Sequence, residues 1–217
     1  CTIVPPLKVP RRKNPATVKG QQLFLHAIAH IEYSAIDLAL DHAYRFAGMP
    51  KAFYDDWLEV ADDECRHFEL LGGLMEEVGC RYGDFPVHDG LFEAGQRTQR
   101  LLERMAVVPR YFEANGLDAT PQILQKLETI QGDVMIDRIV SALKVILDEE
   151  VDHVRKGDRW FAYACEEAGV EKSVYFEIIE RLYPGSFPRK KGVNVTARKA
   201  AGFSCSELNK MGPDKVC

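Results

Sequence analysis

Two short strings have the residue types and spacing for metal chemistry. Glu64 and His67 stand three residues apart, and Glu150 and His153 repeat the spacing. On a helix, side chains three apart share a face, and both faces are otherwise apolar. Phe53, Trp57, Val60, Leu71, Leu74 and Val78 flank the first pair. Ile136, Ile139, Leu143 and Ile146 precede the second, and Trp160 and Ala164 follow it. A carboxylate and an imidazole on a core-facing stripe cost several kcal/mol, of order 2–7, unless compensated. Two further acids fall on apolar stripes of their own, Glu32 and Glu113.

The order is therefore Glu, Glu-x-x-His, Glu, Glu-x-x-His, a pseudo-repeat of helix pairs. One Glu from each of two helices and Glu-x-x-His from each of two others is the ligand inventory of dinuclear carboxylate bundles. Carboxylates neutralise and bridge two divalent ions, and each imidazole fixes one of them. The expected metal ligands are Glu32, Glu64, His67, Glu113, Glu150 and His153, holding two divalent metal ions. Two Glu-x-x-His pairs alone are a weak signal, arising by chance in roughly one comparable chain in ten. Their coincidence with apolar stripes on separate helices carries the weight. Glu149 competes with Glu150 as phased with Ala142 and Val145, and Glu93 and Glu103 compete with Glu113. His26, His30 and His42 lie off the Glu32 stripe and are expected to pack or face solvent. Asp37, Asp63 and Asp152 are candidate partners for ring N–H groups of the ligands. Cys65, inside the first pair, points about 100° away from Glu64 and is expected to be a packed small side chain.

The elements that must position these residues read as helices throughout. Periodicity runs from about Thr17 to Phe46, stopped by Gly48 and Pro50, and from Lys51 to Val78, stopped by Gly79. Cys80–Asp89 reads as a loop. A third helix is expected from Gly90 to Ala114, bent at Pro109. Asn115-Gly116 reads as its stop, and Asp118-Ala-Thr-Pro121 as the start of a short helix to about Ile130. A long fourth helix follows over 133–168, then a short one over 171–182. No strand-like alternation is present. The fold class is all-α, a four-helix bundle with extra short helices and extended termini. The expected division is an extended basic arm over 1–16, the bundle over 17–183, and a mostly irregular basic tail over 184–217.

With 217 residues, 46% hydrophobic and 28% charged, the chain can bury one substantial core. No apolar run is expected to cross a membrane. Six dispersed cysteines without a C-x-x-C pair argue against a zinc ribbon or disulfide framework and favour a reducing, cytoplasmic setting. The net charge of −5 conceals an asymmetry. Lys8, Arg11, Arg12, Lys13 and Lys19 lie in an acid-free start, and Arg189, Lys190, Lys191, Arg198 and Lys199 in an acid-free stretch of the tail. Setting those ten aside leaves 18 basic against 33 acidic residues. Packing of the basic ends on the acidic body is favoured over nucleic-acid binding.

The strings His26-Ala-Ile-Ala-His-Ile-Glu32, Asp62-Asp-Glu-Cys-Arg-His-Phe68 and Tyr82-Gly-Asp-Phe-Pro-Val-His-Asp-Gly90 resemble the ferritin-like family known as domain of unknown function 455. So do Val108-Pro-Arg-Tyr-Phe-Glu-Ala-Asn-Gly-Leu-Asp-Ala-Thr-Pro121, Asp148-Glu-Glu-Val-Asp-His-Val154 and, in the tail, Ala197-Arg-Lys-Ala-Ala-Gly-Phe203. The resemblance spans nearly the whole chain. It implies a ferritin-like bundle whose centre holds two iron ions, with manganese as the alternative, and favours Glu113 as the third-helix ligand. More distantly the chain resembles di-iron tRNA hydroxylases acting on a modified adenosine, and at Asn115 it departs from the Glu-Ala-Arg of both families. The function expected is an O2-dependent di-iron hydroxylase or oxidase. Its substrate would be a small molecule or modified nucleoside, with an external electron donor. A non-catalytic iron-binding or ferroxidase protein, and a metal-free helical interaction module, are the alternatives.

Overall fold

The computed structural model describes residues 1–11, 14–189, 192–212 and 215–217. Arg12, Lys13, Lys190 and Lys191, four of the ten clustered basic residues, lie outside that set. The described residues form α-helices α1 (Val18–Arg45), α2 (Lys51–Glu77), α3 (Gly90–Arg97), α4 (Leu101–Val107), α5 (Ala114–Leu127), α6 (Val134–Ala168), α7 (Val174–Leu182), α8 (Val195–Ala200) and α9 (Cys205–Met211). A 3₁₀ turn covers Pro6–Lys8 and a π-helical turn covers Val108–Glu113. Among the described residues the only β-type pairing is the isolated bridge Ile3–Val87. The chain is all-α.

Two compact units emerge, each made of separated stretches: Cys1–Glu93 with Ile123–Ile146, and Ala94–Gln122 with Leu147–Cys217. In the first unit α1 packs along α2. Thr17 caps α1, its hydroxyl accepting from the Gly20 N–H at 3.1 Å. The helix stops where Gly48 adopts φ +79° ahead of Pro50. At the far end of α2, Gln22 of α1 donates to the Val78 carbonyl at 2.7 Å, satisfying a terminal acceptor that the helix cannot. Leu25, Ala29, Leu38 and Ala39 of α1 and Phe53, Trp57, Val60, Leu71 and Leu74 of α2 are buried. By length and composition α1 could cross a membrane, contrary to the sequence expectation. More than half of its most apolar stretch is buried inside the protein, which accounts for that composition without a bilayer. The Cys80–Asp89 loop is tied to α1 by two histidines. The Gly83 N–H donates to His26 Nε2 at 3.0 Å, and His30 bridges the Tyr82 hydroxyl and the His88 carbonyl, both at 2.8 Å.

The second unit departs most from expectation. The single helix expected over Gly90–Ala114 breaks at Thr98–Arg100. Buried Arg104 stabilises the break, its guanidinium donating to the Thr98 carbonyl at 3.0 Å and the Gly95 carbonyl at 2.5 Å. Pro109 lies in the π-helical turn that joins α4 to α5. Asn115-Gly116 does not stop the helix, for α5 runs through both and through Pro121. Pro121 cannot donate to the Leu117 carbonyl four residues back, and Asn194 Nδ2 takes its place at 3.1 Å. Asp118, read as a helix start, instead accepts from Arg189 and Arg198 and from the Asn194 N–H at 2.8 Å. The tail, expected to be mostly irregular, carries the two short helices α8 and α9, and its Arg189 and Arg198 share the single carboxylate of Asp118 on α5.

Candidate metal centre

In the first unit, Glu32 on α1 and Glu64 and His67 on α2 converge. One ligand atom from each lies within 4.8 Å of the others. His67 Nδ1 stands 3.2 Å from Glu32 Oε2 and 3.4 Å from Glu64 Oε2. The three residues are 4%, 0% and 1% exposed, so solvent contributes nothing to their compensation. One ring nitrogen can donate only one proton, yet two carboxylates address it. Burial, reinforced by the Glu64 charge and opposed by the His67 contact, holds the Glu32 carboxyl well above its ordinary range. For His67, burial works against protonation, but the two carboxylates outweigh it and push the imidazole up to about 10. The set therefore retains protons at neutral pH where a divalent cation would displace them. Two oxygen donors and one imidazole, buried and converging, fit iron or manganese better than a soft thiolate-seeking ion.

The second unit repeats the pattern on α6. His153 is fully buried, and its Nδ1 lies 3.9 Å from Glu150 Oε2. Glu113 is the last residue of the π-turn and is half-buried. Both members of each expected Glu-x-x-His pair therefore approach one another, and Glu32 joins the first pair.

The competing residues have other surroundings. Glu103 pairs with Arg181 at 2.6 Å, and Glu93 is exposed. Asp63 pairs with Arg66, and Asp152 with Lys156 at 3.0 Å and with Arg155. Cys65 is exposed rather than packed, so its part of the expectation fails; its position on α2 faces away from the core. His42 is buried edge-on to Trp57 at 4.3 Å, and His26 stacks on Tyr82 at 5.3 Å. All six thiols are free.

Sequence reasoning missed Arg110, which is completely buried in the same π-turn as Glu113. A lone cation within Val107-Val-Pro-Arg-Tyr-Phe112 was the available signal, since such a residue requires a buried partner.

The family whose sequence pattern matches residues 1–209 is described as "Protein of unknown function (DUF455)". A Haemophilus influenzae protein described as "Uncharacterized protein" is 40% identical over 216 residues, covering 95% of this chain and 73% of that relative. No solved structure matches the chain.

Proposed function

The chain belongs to the family described as Protein of unknown function (DUF455), whose name assigns no reaction, and on the strength of its two ligand sets we propose an O2-dependent di-iron oxidoreductase. The observation that carries the reading is the meeting of Glu32, Glu64 and His67, an otherwise costly arrangement of two buried acids on one imidazole. Glu113, Glu150 and His153 would complete the set. The fold this implies is a ferritin-like four-helix bundle. In such bundles facing helices present carboxylates and imidazoles inward.

Glu32 and Glu113 would each contribute one carboxylate, while Glu64 with His67 and Glu150 with His153 would hold one metal each. When bound, a pair of iron ions supplies two-electron chemistry toward O2. The chain's own contribution is to fix the donors away from solvent, for Glu32, Glu64 and His67 are all buried. The substrate would be a small molecule or a modified nucleoside, and an external reductase would supply electrons. A metal-free bundle is the rival with an observation behind it, because His67 can neutralise one of its two acids by itself.

Metal analysis of anaerobically prepared protein, followed by O2 exposure under optical monitoring, tests the proposal. The expected result is roughly two metals per chain and an O2-dependent colour change. His67→Ala should remain helical by circular dichroism while losing metal. A wild-type chain that takes up no iron or manganese, or a single zinc, would overturn the proposal.

A further inference from the structure

Arg110 is 0% exposed. Its Nε lies 2.8 Å from Asp158 Oδ1 on α6, and its Nη2 donates to Glu207 Oε1 on α9 at 2.7 Å. The guanidinium carbon sits 4.7 Å, 4.6 Å and 4.4 Å from the ring centres of Phe161, Tyr175 and Phe203. Its backbone carbonyl accepts from the Tyr175 hydroxyl at 3.1 Å. Every partner of this arginine is itself held. Lys172 donates to both oxygens of Asp158, at 2.9 and 3.0 Å. Glu207 uses its other oxygen in a capping box, accepting from the Ser204 N–H and hydroxyl, each at 2.8 Å.

Steric fit fixes the same turn from a second side. Pro109 sits so close to Gly157 of α6 that a Cβ there would overlap its ring. Gly202, at φ +99°, lies against the Asp158 carboxylate with no room for a Cβ. Consecutive residues of the π-turn, Pro109 and Arg110, thus meet consecutive residues of α6, Gly157 and Asp158. α6 is the helix that carries Glu150 and His153, and the turn ends at Glu113.

A buried ion pair seldom stabilises more than an apolar pair of the same volume. What it adds is direction, because a guanidinium fork accepts carboxylates in few orientations. A π-turn is a strained way to complete a helix and recurs at functional sites. We propose that Arg110, clamped by Asp158 and Glu207, is a positioning residue that sets where Glu113 stands relative to Glu150 and His153. In this arrangement the α9 segment governs metal affinity at the Glu113 end of the centre. The inference rests on the di-iron reading and adds a control element remote from the ligands in sequence.

The test uses cobalt(II), added anaerobically in competition with a chelator, and reads affinity, stoichiometry and the visible spectrum of the bound ion. Glu207→Gln and Arg110→Lys are compared with wild type, and Arg181→Gln, which breaks the surface pair with Glu103, is the control. Circular dichroism establishes that each variant is folded. One of the two cobalt ions should bind about 10–100-fold more weakly in both variants, with a changed spectrum for that equivalent, while the control matches wild type. Unchanged affinities and spectrum, with only a lowered melting temperature, would reduce the clamp to a structural role and overturn the inference. Should Arg110→Lys fail to fold, Glu207→Gln, which leaves the Asp158 partner in place, decides alone. A wild-type chain that binds no cobalt would remove both this inference and the di-iron reading, whereas a failure confined to the variants removes only this one.

Discussion

Glu149 and Glu150 differ by one position and about 100° of helix, and the choice between them is a choice of helical phase. Glu150 stands 3.9 Å from His153, and the proposed ligand set takes it rather than Glu149. Glu150→Ala should therefore lower metal stoichiometry, and Glu149→Ala should leave it at the wild-type value, both read by metal analysis of the purified variants. The reverse pattern would place the metal-facing stripe one residue earlier. His26 allows a second expectation. It must be neutral to accept from the Gly83 N–H, and burial, with the nearby His30 adding to it and Asp84 opposing it, holds its pKa below the ordinary 6.5. Because the folded value is the lower one, the stabilisation is present above about 6.5 and fades as pH falls through the folded value. His26→Gln can keep an acceptor without titrating. Its melting temperature should depend less on pH below about 6.5 than that of wild type, and parallel pH profiles would contradict the assignment. At this scale the sequence was most informative, since Glu32, Glu64 and His67 were legible as polar interruptions of apolar stripes. Arg110 was not, because its partners Asp158 and Glu207 lie 48 and 97 residues away and no local period connects them.

Helices α1, α2 and α6 were legible to within a residue or two, because their apolar periods are long and their ends carry Pro50, Gly79 and Gly169. The region from α3 to α5 was not. Its local signals point to one bent helix, a stop and a restart, whereas the chain breaks at Thr98–Arg100 and then runs helically through Asn115-Gly116 and Pro121. Arg104 supports an unexpected break, and Asn194 supplies a donor to the carbonyl that Pro121 leaves without one. That substitution of partners can be tested by a double-mutant cycle. Asn194 also caps α8, accepting from the Ala197 N–H at 3.2 Å, so Asn194→Ala should cost about 1–2 kcal/mol in chemical denaturation. In a Pro121→Ala background, where an N–H to Leu117 is restored, the same substitution should cost measurably less. Strict additivity would mean that Asn194 acts only as a cap.

At the scale of the molecule, the unit boundaries fall after Glu93, Gln122 and Ile146, inside α3, α5 and α6. Neither unit can be excised without cutting three helices, so thermal unfolding should be a single cooperative transition for the whole chain. The metal should raise that transition without being needed for it. Leu25, Phe53, Trp57, Leu71 and Ile136 in the first unit, and Val107, Leu117, Phe161 and Ile179 in the second, are each 0% exposed, and such burial contributes roughly 1.5–3 kcal/mol per large side chain. Against this, the first cluster without metal limits its own repulsion, since burial raises the Glu32 carboxyl and the two carboxylates raise the His67 imidazole. Chelated protein should therefore stay helical and melt at a lower temperature, by mass action of the lost ligand. Leu143→Ala supplies the contrast. Leu143 is 3% exposed and offers no ligand atom, so its truncation should cost about 2–5 kcal/mol while sparing metal stoichiometry. His67→Ala should do the opposite, damaging metal uptake in a chain that remains folded. Calorimetry and metal analysis on both variants separate the two effects. If chelation alone unfolds the wild-type chain, the cluster exists to hold the fold together, and the oxidoreductase reading loses its physical support.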